Sequence, residues 1–244
     1  MAPPPLAALH SLGFPAKRLA DLATMAGLSL WQPQAGNAGG RVKPTALRVL
    51  VLLGHAWEDQ VANTWTEPYT AWIEVAALAD HSILELIQRA RDTSLYISFT
   101  TITANRRDLA GEVLSMIGGR RRLSRDSRDN IELALHEALS NAVLHGNLQL
   151  ESLSGLSVDA LERFSNNLTC RITDPDFANR RIDVICDIIG DAVTIDVVDQ
   201  GNGFLPKPRP EPQASGRGFD LISVSCQSFR LLDGGRRLSM RFPA

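Results

Sequence analysis

The stretch Ile131–Asn147, IELALHEALSNAVLHGN, constrains this chain more than any other. At 100° per residue, Ile131, Ala134, Leu135, Ala138, Leu139 and Ala142 fall on one side of a helix, and that side must pack on a core. Glu137, Asn141 and His145 recur every fourth residue, so they form a second stripe bordering the apolar face. A carboxylate and an amide one turn apart, between core and solvent, suit metal–phosphate chemistry. Gly146 is the expected end of the helix, glycine being a common closing residue. Taken alone, Glu137-x-x-x-Asn141 is a weak signal, since exposed Glu and Asn at this spacing are ordinary.

Two glycine motifs follow downstream. Arg181–Ile189 and Ala192–Val198 alternate as strands, and Gly190-Asp191 joins them at hairpin length. The second strand runs straight into Asp199-Gln200-Gly201-Asn202-Gly203. Glycines there let the backbone approach a ligand or take positive φ; a plain turn is the alternative. After a proline-rich loop, Leu205–Gln213, the run Ser215-Gly216-Arg217-Gly218 opens a helix over Phe219–Ser225. Free amides and the positive end of a helix dipole make an anion site; a flexible helix start is the alternative. Ser228–Leu232 and Arg236–Phe242 then read as a closing hairpin through Asp233-Gly234-Gly235.

In this order the three motifs resemble the GHKL (Bergerat-fold) ATP-binding domain, the class of gyrases and histidine kinases. Glu137–Gly146 looks like its N box, Asp199–Gly203 its first glycine box and Gly216–Gly218 its second. The resemblance covers about Leu95–Phe242. It is closest to the anti-sigma-factor serine/threonine kinases, through the E-x-x-x-N-x-x-x-H-G form, the short loop between glycine boxes and the GRG helix before a final hairpin. It implies an α+β fold, a two-layer α/β sandwich with a mixed, mostly antiparallel sheet, binding ATP and Mg²⁺. Glu137 is then the general base and Asn141 the Mg²⁺ ligand. Asp199 accepts from the adenine amino group, with Gly201 and Gly203 passing near the base. Gly216, Arg217 and Gly218 face the phosphates, and His145 and Gly146 stand beside them.

Upstream the chain reads differently. Residues 1–44 suggest an N-terminal extension and linker: Pro3–Pro5 open it, Ala16–Ala26 forms a short helix, and Gln32–Pro44 is rich in Gly and Pro. Residues 45–93 suggest a small α/β accessory unit, with strands at Leu47–Leu53 and Trp72–Ala77 and helices at Trp57–Trp65 and Ser82–Arg91. A response-regulator receiver, or its remnant, is one comparison. Its paired acids belong just after the first strand, where this chain has Leu53-Gly54-His55. The ATP-binding domain follows over residues 94–244, with a strand at Tyr96–Ile102, a helix at Arg106–Ile117 and an interruption at residues 148–180. Stand-alone anti-sigma kinases lack such an interruption.

Composition narrows the function classes. A net charge of −2 supplies no basic field for nucleic acid. Three cysteines, Cys170, Cys186 and Cys226, show no zinc spacing. No apolar run reaches a membrane span and no signal peptide is evident, so the expected location is the cytoplasm. The arginines between Arg120 and Arg128 read as a solvated helix start, with acidic docking as the alternative. The expected activity is ATP-dependent phosphorylation of a STAS-type antagonist in a partner-switching pathway, with a sigma factor as a further partner. Homodimerisation is common in the resembled family. The alternatives are an ATP-dependent protein-binding module with little phosphoryl transfer, and a histidine-kinase-like catalytic domain.

Overall fold

The structure is a computed structural model and describes residues 4–33, 47–75, 78–152, 157–203 and 218–243. It divides into two compact units, Met1–Ser98 and Phe99–Ala244.

The first unit is built on parallel strands. They are β1 (Leu6–Leu12), β2 (Ser29–Leu30), β3 (Arg48–Leu53), β4 (Tyr69–Glu74) and β5 (Leu95–Thr100), the last belonging to this unit through Ser98. Their order is β2-β1-β3-β4-β5, a known order of open α/β sheets. Val49–Leu53 are wholly buried, as expected of a central parallel strand covered on both faces. Helix α1 (Ala16–Ala26) follows β1 and ends in a left-handed Gly27 cap. Helix α2 (Asp80–Ala90) links β4 to β5. Arg18 of α1 reaches Asp80 of α2 at 2.7 Å.

Residues 4–33, expected within an N-terminal extension, contribute elements to this unit. Leu6–Leu12 forms its first strand and Ala16–Ala26 its first helix. Arg48, 3% exposed, ties the start of the chain to the sheet. Its guanidinium donates to the carbonyls of Pro4 (2.9 Å), Ala90 (3.1 Å) and Arg91 (2.8 Å), closing the C-terminal end of α2 with a cation. The expected helix at Trp57–Trp65 is only a 3₁₀ turn, Val61–Thr64, held by Trp72 Nε1 donating to Thr64 Oγ1 at 2.8 Å. Most of the Gln32–Pro44 linker reading lies outside the described residues.

β1 and β3 meet closely at their carboxyl ends. The Gly54 amide donates to Leu12 O and the His55 amide to Gly13 O, both at 2.8 Å. A Cβ on Gly54 would stand 2.0 Å from Gly13 O. β1 is followed by Gly13-Phe14-Pro15 and β3 by Gly54-His55, so no carboxylate directly follows either strand.

The second unit is the α+β sandwich. Helices α3 (Thr101–Arg106), α4 (Leu109–Gly118) and α5 (Arg125–Asn141) come first, where one strand to Ile102 and one helix from Arg106 were expected. Thr100 stops the strand by capping α3. Ser124 caps α5, its hydroxyl accepting from the Ser127 amide at 3.0 Å. α6 (Val158–Thr173) and the short α7 (Pro175–Ala178) occupy the interruption. Strands β6 (Arg181–Ile189) and β7 (Ala192–Val198), helix α8 (Gly218–Ser225) and strands β8 (Ser228–Leu232) and β9 (Arg237–Pro243) complete the unit. The sheet is antiparallel, β6-β7-β9-β8. Val184, Cys186, Val193, Ile195, Val197, Met240 and Phe242 form its buried side, and Ile131, Leu135 and Ala138 of α5 are buried with them. Burial also pushes the Cys186 thiol up, so it stays protonated and inert.

Candidate functional site

The long helix does not end as one α-helix. At Ala142 it widens into a π-helix, Ala142–Asn147, in which the Leu148 amide reaches back to Val143 O at 2.9 Å. π-turns are rare and concentrate at functional sites. This one sets Gly146 beneath Asp199. A Cβ on Gly146 would lie 2.6 Å from Asp199 Cγ, and a Cβ on Gly201 would lie 2.1 Å from Gly146 O. Only glycine allows the two segments this approach. Gly203, at φ +81°, rests on the turn carbonyl of Gly234.

The other end of the site is set by Glu137. Its Oε1 accepts from Asn141 Nδ2 at 3.1 Å. That bond leaves Asn141 Oδ1 as the amide's acceptor. A Cβ on Gly218 would stand 1.7 Å from Glu137 Oε1, so the carboxylate lies directly against the first residue of α8. Gly146 and Glu137 are nine residues apart, roughly 13 Å along a helix. Asp199 and the start of α8 therefore stand at opposite ends of this stretch.

A cavity of about 650 Å³ spans this distance, with Glu137, Asn141, His145, Gly146, Asp199, Gly203 and Gly218 in its wall. Leu144, Leu150, Phe164, Phe219 and Leu238 give it an apolar lining suited to a ring. Burial raises the Asp199 pKa; the Gly201 amide, donating to Oδ1 at 2.8 Å, and then Arg236 and Arg180 pull the other way. A desolvated carboxylate of this kind is a strong acceptor for an amino donor. His145 lines the cavity while Nδ1 bonds Leu150 O at 2.7 Å, a structural contact. Gly216 and Arg217 lie outside the described residues.

These residues fit ATP with Mg²⁺. A half-buried carboxylate, Asp199, and an amide oxygen, on Asn141, line one cavity with an apolar wall, a donor set that suits a base and a hard cation. Among the described residues there is no cluster of three or more His, Cys, Asp or Glu side chains that could hold a metal ion. Magnesium would therefore rely on Asn141 together with the phosphates of its nucleotide.

Other parts of the site carry no sequence signal. Asn147 is fully buried, and its amide bonds Thr101, Arg181 and Gln200. Helices α6 and α7 lead back to the site as a support. Arg171 and Arg180 lie over the Phe177 ring at 4.3 and 4.5 Å. Arg171 donates to Leu148 O (3.2 Å) and Arg180 to Asn147 O (2.7 Å), so two cations close the negative end of the π-helix.

Residues 102–242 match the family model described as the histidine kinase-like ATPase domain. No curated protein matches the chain. Among the described residues no helix is long and apolar enough to cross a membrane.

Proposed function

The chain belongs to the histidine kinase-like ATPase domain family, and from that membership we propose that it is an ATP-dependent protein serine/threonine kinase of the anti-sigma type. Its substrate is a serine or threonine of a STAS-type antagonist, and a sigma factor is a further partner. The observation that supports transfer, over binding alone, is Glu137: a carboxylate oriented by Asn141 at the start of α8, within the cavity that Asp199 also lines. A pure nucleotide binder has no need of a base there.

Glu137 takes the proton of the attacking hydroxyl; the hydroxyl oxygen bonds the γ-phosphorus as the bond from that phosphorus to the β,γ-bridging oxygen breaks, and ADP leaves. Asn141 Oδ1 is the atom of this site that would hold Mg²⁺, and the ion would supply positive charge toward the phosphates. Asp199 accepts the adenine amino hydrogen, and Gly201 lets the backbone pass the ring edge. The α8 amides near Gly218 face the phosphates. A histidine phosphoacceptor is disfavoured, because the first unit is a parallel α/β sheet and not a helical hairpin.

The test mixes the full chain with labelled ATP, Mg²⁺ and STAS proteins of the host. Transfer to a serine or threonine is expected, with Glu137→Gln slowing it ~10²–10⁴-fold while ATP still binds. ATP binding without transfer to any STAS protein would replace this reading with an ATP-dependent docking module.

A further inference from the structure

We propose that Asn147 is a positioning residue for the base-binding carboxylate: by holding the Gln200 amide it fixes Asp199 and so sets selectivity for the base. The inference rests on the reading of Asp199 as the adenine contact.

Asn147 is 0% exposed, and each polar atom of its side chain is bonded. Oδ1 accepts the Gln200 N–H at 2.7 Å. Nδ2 donates to Thr101 Oγ1 at 2.8 Å and to Arg181 O at 2.9 Å. One amide thus joins the start of α3, the start of β6 and the loop after β7. Gln200 closes the ring, its Oε1 accepting the Arg181 N–H at 2.7 Å. Gln200 is the next residue after Asp199, and the Asp199 amide is itself bonded to Arg236 O at 2.9 Å. The Asp199 backbone is therefore held on both sides, by Asn147 through Gln200 and by the strand-closing turn. Asp199 Cγ in turn packs on Gly146, the neighbour of Asn147. Without the Asn147 acceptor, the Gln200 N–H is left unpaired beside the site and the Asp199 backbone loses one of its two anchors.

A merely structural role would lower stability without touching base selectivity, so the test reads both. ATP and GTP affinities are measured by calorimetry on the full chain, beside thermal melts. Asn147→Ala should weaken ATP binding about ten- to a hundredfold and remove most of the preference for ATP over GTP. Asn147→Asp keeps the acceptor for Gln200 and should keep the preference at lower stability. Thr101→Val removes a partner on the donor side only and should also keep it. Gln200→Ala keeps the backbone N–H that Asn147 accepts and should keep the preference. Gln200→Pro removes that N–H at an exposed position while Asn147 stays in place, and should erode the preference even where Asn147→Ala does not fold. An unchanged preference in folded Asn147→Ala, or in Gln200→Pro, overturns the proposal. So does an equal loss of preference in Thr101→Val. Asp199→Asn separates the two levels. If it leaves the preference intact, the adenine assignment fails; if it abolishes the preference while Asn147→Ala and Gln200→Pro do not, only the positioning role fails.

Discussion

Asp199 shows how a single side chain sets binding against stability. Burial holds its carboxyl above the ordinary carboxylate range, so the folded state binds a proton more tightly than the unfolded chain does. The stability this contributes is fully present below the unfolded pKa and is lost as pH rises through the folded value. At neutral pH the ionised group is therefore a burden on the fold. Asp199→Asn, which can still accept from Gly201, should raise the melting temperature at pH 7 and flatten its dependence on mildly acidic pH. The same variant should bind ATP about ten- to a hundredfold more weakly, because the charged acceptor is gone. In the wild type, an adenine donor favours the ionised form, so ATP affinity should fall as pH is lowered through the Asp199 pKa. Titrations across that range check the sign. Glu137 and Asn141 were legible in the sequence because a four-residue spacing fixes them on one side of a helix. Asn147 was not, since its partners Thr101, Arg181 and Gln200 meet it only in the fold.

At the scale of elements, regular patterns read correctly and irregular ones did not. β6 and β7 have the bounds their alternation predicts, Arg181–Ile189 and Ala192–Val198. α1 also ends where expected, before Gly27. β1 was missed because LAALHSL has neither alternation nor β-branched residues; a strand inside a parallel sheet needs no polar face. The π-helix was invisible, as apolar periodicity cannot mark one added residue in a turn. α6 runs to Thr173, well past Phe164, although Ala160 is its only buried residue. The value of that segment lies in its end, where Phe177 holds two arginines on the π-helix carbonyls. Phe177→Ala should destabilise the second unit by ~1–2 kcal/mol, measured by denaturant unfolding, and weaken ATP binding in parallel. In the first unit, Arg48→Met would strand several buried carbonyls. It should cost roughly 2–4 kcal/mol in the same measurement.

For the molecule as a whole, the family match and the order of its motifs describe the second unit, while the first has chemistry only by comparison. Its strand order, β2-β1-β3-β4-β5, places a crevice where the chain reverses direction between β1 and β3, the usual site for a ligand in such a sheet. The Gly13–Gly54 contact occupies that place with backbone. Incubation with acetyl phosphate should therefore leave residues 1–98 without a phosphoryl adduct by peptide mass mapping; an adduct there would contradict the closed seam. The seam also limits what mutation can reach. Gly54→Asp supplies an acid at the strand end, yet its Cβ would meet Gly13 O before the carboxylate found any room. The strands would have to part first, breaking two backbone hydrogen bonds. At this strand end an acid is thus barred by the packing of backbone on backbone, and a new side chain alone does not restore it.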